Sequence, residues 1–156
     1  NTARLPFLRA HFAPAYIIHL VRDGYAVAEG IRRRGQPRRF GRHEFGDAYP
    51  IELCAEQWRA SLEQVETDHS GLDHYLEVLY EDLVADAAGQ LKHITAFLGL
   101  PPLSAHASGG DFTIHGLRSG IRNMNADSIA RLSQGDLDTV ERVAGPLLER
   151  FGYARP

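Results

Sequence analysis

The sequence predicts an α/β fold, a parallel sheet flanked by helices, in a single domain over residues 1–156. Three observations carry this prediction. Two apolar runs of strand length, Tyr16 to Val21 and His74 to Tyr80, each lead through a short turn into a segment of helical periodicity. The first run is nearly continuous rather than alternating, as suits a strand covered on both faces of a parallel sheet. The composition is globular, with 44% apolar and 24% charged residues, which excludes a disordered tail, a collagen-like repeat and a disulfide scaffold. Strands alternating with helices connect by parallel crossovers, although two strands are few for such a sheet.

The elements follow in order. Thr2 to Phe12 reads as a short helix, with Leu5, Leu8 and Phe12 at helical spacing and Pro14 stopping it. The Tyr16–Val21 strand then meets Arg22-Asp23-Gly24, and Tyr25 to Arg33 reads as helix. Residues 34–50 are irregular, broken by Gly35, Pro37, Gly41, Gly46 and Pro50. From Ile51 to about Asp68, Ile51, Cys54, Ala55, Trp58, Leu62 and Val65 form one apolar stripe with glutamates off it, the clearest helix of the chain. After the second strand, Asp86 caps a helix carrying Leu91, Ile94, Phe97 and Leu98. Gly99 ends that helix and Pro101-Pro102 prevents its continuation. Residues 103–125 read as loop. The last helix starts at Ser133-Gln134-Gly135-Asp136, a capping box with Asp in place of Glu. It buries Leu137, Val140, Val143, Ala144, Leu147 and Phe151, and Pro146 should kink it.

Charge is segregated along the chain. Residues 1–50 carry a net +5, residues 51–100 a net −8, and the remainder balances, leaving −3 overall. No apolar run reaches the roughly 18–20 residues of a membrane span. Asn1 to Pro6 do not read as a signal peptide, and the single Cys54 has no internal disulfide partner. Together these features lead us to expect a bacterial cytoplasmic setting.

No Walker A sequence, G-x-G-x-x-G, G-x-S-x-G or HExxH spacing occurs, so no metal is expected and no catalytic triad shows locally. What remains is positional. Arg22 falls at the carboxyl end of the first strand, where open parallel sheets bind ligands and where a helix N-terminus offers N–H groups to phosphate. It is either a phosphate ligand or an ordinary strand-end arginine that pairs with Asp23 or stays solvated. Tyr80 holds the corresponding place after the second strand, either contacting a ligand or simply finishing the strand. Arg32, Arg33, Arg34, Arg38, Arg39 and Arg42 form a basic cluster that either holds an anion or is a solvated face. With few aromatics among them, nucleic acid is not expected as a partner. His115 to Arg122 offers two arginines, a serine and glycine, the makings of an anion nest or a plain surface loop.

Taken in order, these segments resemble the C-terminal part of the sulfotransferases that use 3′-phosphoadenosine 5′-phosphosulfate. Tyr16-Ile17-Ile18-His19-Leu20-Val21-Arg22-Asp23-Gly24-Tyr25 is similar to that family's strand–Arg–helix motif. Tyr75 to Leu83 with Tyr80-Glu81-Asp82-Leu83, continuing to Phe97-Leu98-Gly99-Leu100-Pro101, is similar to its most specific segment. Leu137 to Tyr153 is similar to its closing helix.

The resemblance implies a P-loop nucleotide-hydrolase-like sulfotransferase fold without the N-terminal phosphosulfate-loop unit. It implies that Arg22 binds the 3′-phosphate, that Tyr80 contacts the adenine, and that Arg118-Ser119-Gly120 takes the place of a loop closing over the same phosphate. Ser119 stands where the family has lysine, and Gly30 where it has a phosphate-binding serine. Both departures remove side-chain ligands, for which Arg32 or Arg122 would compensate. The resemblance places the catalytic base upstream of Asn1. The implied activity is sulfuryl transfer to a hydroxyl or amine of a small-molecule, saccharide or peptide acceptor, with no membrane partner. A degenerate, non-catalytic nucleotide-binding module of the same fold stays open beside it. Neither the acceptor nor the oligomeric state is legible.

Overall fold

In a computed structural model of the chain, residues 2–101, 112–114, 117–119 and 121–156 are described. The backbone gathers into two compact units, each assembled from separate stretches of sequence.

The first unit comprises Asn1–Leu5, Asp23–Ser70 and Met124–Pro156. It is helical: α2 (Gly24–Arg34), α3 (Ile51–Asp68), α6 (Asn125–Ile129) and α7 (Gln134–Arg150). Between α2 and α3 lie two short 3-10 turns, Pro37–Phe40 and His43–Phe45, where the sequence predicts irregular chain. The long helix α3 packs against both α2 and α7. Its predicted stripe is the buried face: Cys54, Ala55, Trp58, Leu62 and Val65 are all at most 5% exposed. From α7 come Leu137, Val140, Ala144, Leu147 and Leu148. Val143 and Phe151, predicted on that face, are half-buried at its margin, and Leu148 takes the interior place. The helix is assigned without a break through Pro146. At Gly24 a side chain has no room, because a Cβ there would lie 2.8 Å from Leu148 Cδ2 and 3.0 Å from the Trp58 ring. Five-residue α6 starts at Asn125, the last residue of the predicted loop, and runs on through a stretch for which the sequence predicts no element.

The second unit comprises Pro6–Arg22 and Gly71–Asn123. Strand β1 (Tyr16–Val21) pairs in parallel with β2 (His74–Leu79), in register from Tyr16↔His74 to Val21↔Leu79. The second strand stops one residue short of its predicted end, and Tyr80 opens the short helix α4 (Tyr80–Ala85). Helix α5 (Ala87–Phe97) follows, its N-cap Asp86 accepting a 2.9 Å hydrogen bond from the Gly89 N–H as the sequence predicts. Gly99 leaves that helix with φ +66°, the left-handed conformation that favours glycine. Helices α4 and α5 pack along β2. The expectation that β1 is covered on both faces does not hold among the described residues: Tyr16, Ile18 and Leu20 are 40–48% exposed, while Val21 and Val78 are buried. An antiparallel hairpin, β3 (Phe112–Ile114) and β4 (Leu117–Ser119), lies in the region predicted as loop. Most of α1 (Leu5–His11) also belongs to this unit.

Candidate functional site

Parallel pairing decides what meets at the carboxyl end of the sheet. Because Val21 is in register with Leu79, the next residues of the two strands, Arg22 and Tyr80, leave the sheet side by side. The Arg22 guanidinium carbon lies 4.6 Å from the centroid of the Tyr80 ring. A guanidinium over an aromatic face is attracted by the ring's quadrupole, and flat delocalised arginine suits that stacking better than lysine. At the other end of the same side chain, the Tyr80 hydroxyl donates a 2.8 Å hydrogen bond to the backbone carbonyl of Arg122. Both side chains are half-buried. A cation is thus held in place at the strand ends, the position at which open parallel sheets receive ligands. Its fork of N–H donors matches a phosphate or sulfate oxygen pair.

The start of α2 behaves differently from its sequence expectation. Asp23 is 8% exposed and caps the helix. Its Oδ1 accepts from the Tyr25 N–H at 2.8 Å and from the Ala26 N–H at 3.3 Å. These two donors, read from the sequence as open to an anion, are satisfied by the chain's own carboxylate. Tyr25 is buried, and burial first, then Glu141, pushes its hydroxyl pKa up, so it stays neutral.

The other sequence candidates divide. Gly30 lies on α2 in the first unit, and a Cβ built there would meet nothing within 4 Å. Arg118 and Ser119 are on the backbone of β4 in the second unit, and Gly120 lies outside the described residues. Four arginines of the basic cluster pair with carboxylates. Arg32 donates to Asp136 at 2.9 Å, Arg33 lies 3.5 Å from Glu29, Arg38 lies 3.2 Å from Asp47, and Arg42 donates to Glu44 at 2.5 Å. Arg32, one of the two residues expected to compensate for the missing phosphate ligands, is therefore committed to Asp136.

One polar constellation escaped the sequence reading. His19 Nδ1 lies 2.8 Å from the Tyr75 hydroxyl, which also donates to Glu77 Oε2 at 3.4 Å. Burial, reinforced by Glu77, holds the Tyr75 hydroxyl pKa well above its ordinary value. The signal was cross-strand: His19 and Glu77 are register partners, a relation invisible until the strands are paired. Among the described residues no group of three or more His, Cys, Asp or Glu could hold a metal ion. No described helix is long and apolar enough to cross a membrane.

Residues 1–104 match a family model described as the sulfotransferase family. The structure is similar to the sulfotransferase domain from the curacin biosynthetic pathway, with 23% identity and a TM-score of 0.65 over 100% of this chain and 60% of that one. It is also similar to the sulfotransferase domain from the Synechococcus PCC 7002 olefin synthase, with 26% identity and a TM-score of 0.65 over 100% of this chain and 56% of that one. The chain therefore spans less than two thirds of either domain. No curated protein matches it.

Proposed function

The chain belongs to the sulfotransferase family, and from that premise we propose that it binds 3′-phosphoadenosine 5′-phosphosulfate for sulfuryl transfer to a hydroxyl or amine acceptor. The observation that carries this reading is the Arg22–Tyr80 pair at the carboxyl ends of β1 and β2. Such a donor presents a dianionic 3′-phosphate, and the residues fit it: a half-buried guanidinium, held over an aromatic ring, offers two parallel N–H donors to phosphate oxygens. When bound, the donor supplies the sulfuryl group, which passes to the acceptor oxygen or nitrogen as its bond to the 5′-phosphate breaks. Arg22 binds and orients the far end of the nucleotide, so that binding energy remote from sulfur serves to align the transfer. Arg118, Ser119 and Gly120 take the place of the family loop that closes over the same phosphate.

A second reading is nucleotide binding without catalysis. Its specific support is that Gly30 and Ser119 stand where the family has a serine and a lysine.

Calorimetry tests both. Arg22→Ala should weaken adenosine 3′,5′-bisphosphate by about tenfold or more while leaving adenosine 5′-monophosphate within about twofold, as expected for losing a charge-assisted phosphate contact. Equal losses for the two ligands would remove Arg22 from the 3′-phosphate. In a protein that joins this chain to the family's phosphosulfate-loop unit, tight bisphosphate binding with no sulfuryl transfer to a panel of phenols, alcohols and amines would select the second reading.

A further inference from the structure

The site contains a residue with a task beyond touching the nucleotide. Tyr80 is the first residue of α4, so its backbone is fixed by the start of a helix that packs on β2 and α5. Its ring face supports the Arg22 guanidinium, 4.6 Å from the centroid. Its hydroxyl proton goes to the Arg122 carbonyl at 2.8 Å. One phenol therefore has two ends in use. The face holds a cation that has emerged from β1, and the hydroxyl holds the backbone of a second arginine distant in sequence from both strands.

We propose that Tyr80 is a positioning residue for an anion site. Its ring fixes the Arg22 guanidinium and its hydroxyl tethers the chain at Arg122, so that it governs affinity for the 3′-phosphate through Arg22. The physical reason lies in entropy. A free arginine side chain loses rotamer freedom on being fixed, and a cation already held over a ring has lost much of it before the ligand arrives. The same holds for the backbone at Arg122, whose carbonyl accepts from the phenol.

This inference rests on the donor reading above and separates from it by experiment. Three nucleotides are titrated against the wild type, Tyr80→Phe and Tyr80→Leu: adenosine 3′,5′-bisphosphate, guanosine 3′,5′-bisphosphate and adenosine 5′-monophosphate. Tyr80→Phe keeps the ring and loses one hydrogen bond, so both bisphosphates should weaken by about fivefold. Tyr80→Leu also loses the ring face, and both should weaken by about thirtyfold. The monophosphate should stay within about twofold in each variant, since it lacks the phosphate that Arg22 serves. A loss seen with the adenine ligands and absent with the guanine one would overturn the proposal and make Tyr80 a base contact.

A wild type that does not distinguish bisphosphate from monophosphate would sink the donor reading, and the positioning claim is then decided without a nucleotide. Amide hydrogen exchange over residues 121–124 should quicken in Tyr80→Phe while β1 and β2 keep their protection. Phenylglyoxal modification of Arg22, followed by mass spectrometry, should quicken in Tyr80→Leu. Unchanged rates in both measurements would overturn the proposal whatever the ligand.

Discussion

Arg32, in the last turn of α2, donates a 2.9 Å hydrogen bond to Oδ1 of Asp136, in the first turn of α7. The other carboxylate oxygen is occupied as well. Oδ2 accepts from the Ser133 backbone N–H and from the Ser133 hydroxyl, both at 2.9 Å. The Asp136 N–H in turn bonds Ser133 Oγ at 3.2 Å. The capping box legible in the sequence is thus also an inter-helix tie, and it places a carboxylate at a helix N-terminus where the dipole favours it.

The first prediction concerns this carboxylate. Burial pushes the Asp136 pKa up, but the Ser133 bonds and the Arg32 guanidinium outweigh it and hold the group below the usual carboxylate range. A group depressed in the folded state stabilises the protein above its unfolded pKa, about 3.9, and that contribution fades as pH falls towards the folded value. Asp136→Asn should cost about 1 kcal/mol at neutral pH, or roughly 2–4 °C in Tm for a chain of this size. Urea midpoints of wild type and variant should differ equally at pH 7 and pH 5, and the gap should narrow as pH falls from 4 to 3. A gap that persists unchanged at pH 3 would show that charge at Asp136 plays no part.

Gly24 gives the second. Its missing side chain leaves room for Leu148 Cδ2 and the edge of the Trp58 ring, both in the core of the first unit. Gly24→Ala must push these apart, and overpacking of this kind costs roughly 1–3 kcal/mol. Trp58 is the chain's single tryptophan and reports on the same contact. The variant should show a lower urea midpoint, an unchanged slope and a shifted native emission maximum. A stability equal to wild type would mean that the helices part without strain.

Elements with strong periodicity were legible in the sequence, and long-range relations were not. The α3 stripe from Cys54 to Val65 and the Ser133 capping box are local patterns, and the structure repeats them nearly residue for residue. Helix α6 and strands β3 and β4 are too short for a period to develop, and the N-cap of α6, Met124, makes no side-chain capping bond. At the candidate site, the sequence marked Arg22 and Tyr80 separately as strand-end residues. Their contact depends on the Val21↔Leu79 register, which no local signal encodes. The α2 N-terminus misled for a related reason: the sequence marked Asp23 only as a partner for Arg22, and its carboxylate instead caps the helix, accepting from the Tyr25 and Ala26 N–H groups.

Cys54 provides the third prediction. It is 1% exposed on α3, and burial pushes its thiol pKa up to about 11. The thiolate is the reactive form, so the native protein should resist disulfide reagents at pH 8 and react in step with unfolding. Labelling with Ellman's reagent across a urea series should follow the Trp58 fluorescence transition. Rapid native labelling would contradict the burial of this helix face.

The last prediction returns to a departure from the family pattern. Gly30 sits inside α2, away from both ends, and a Cβ there meets nothing within 4 Å. Glycine in a helix interior leaves the unfolded chain more freedom than alanine does, so Gly30→Ala should stabilise the protein by roughly 0.5–1 kcal/mol. Gly30→Ser should gain less, because serine is the weaker helix former. Binding separates the two variants in the opposite sense. If Gly30 occupies the place of a phosphate-binding serine, Gly30→Ser should tighten adenosine 3′,5′-bisphosphate by about fivefold, the worth of one net hydrogen bond, while Gly30→Ala leaves it unchanged. Adenosine 5′-monophosphate should not respond to either substitution. Equal affinities for the bisphosphate in the serine and alanine variants would show that this position of α2 does not face the 3′-phosphate.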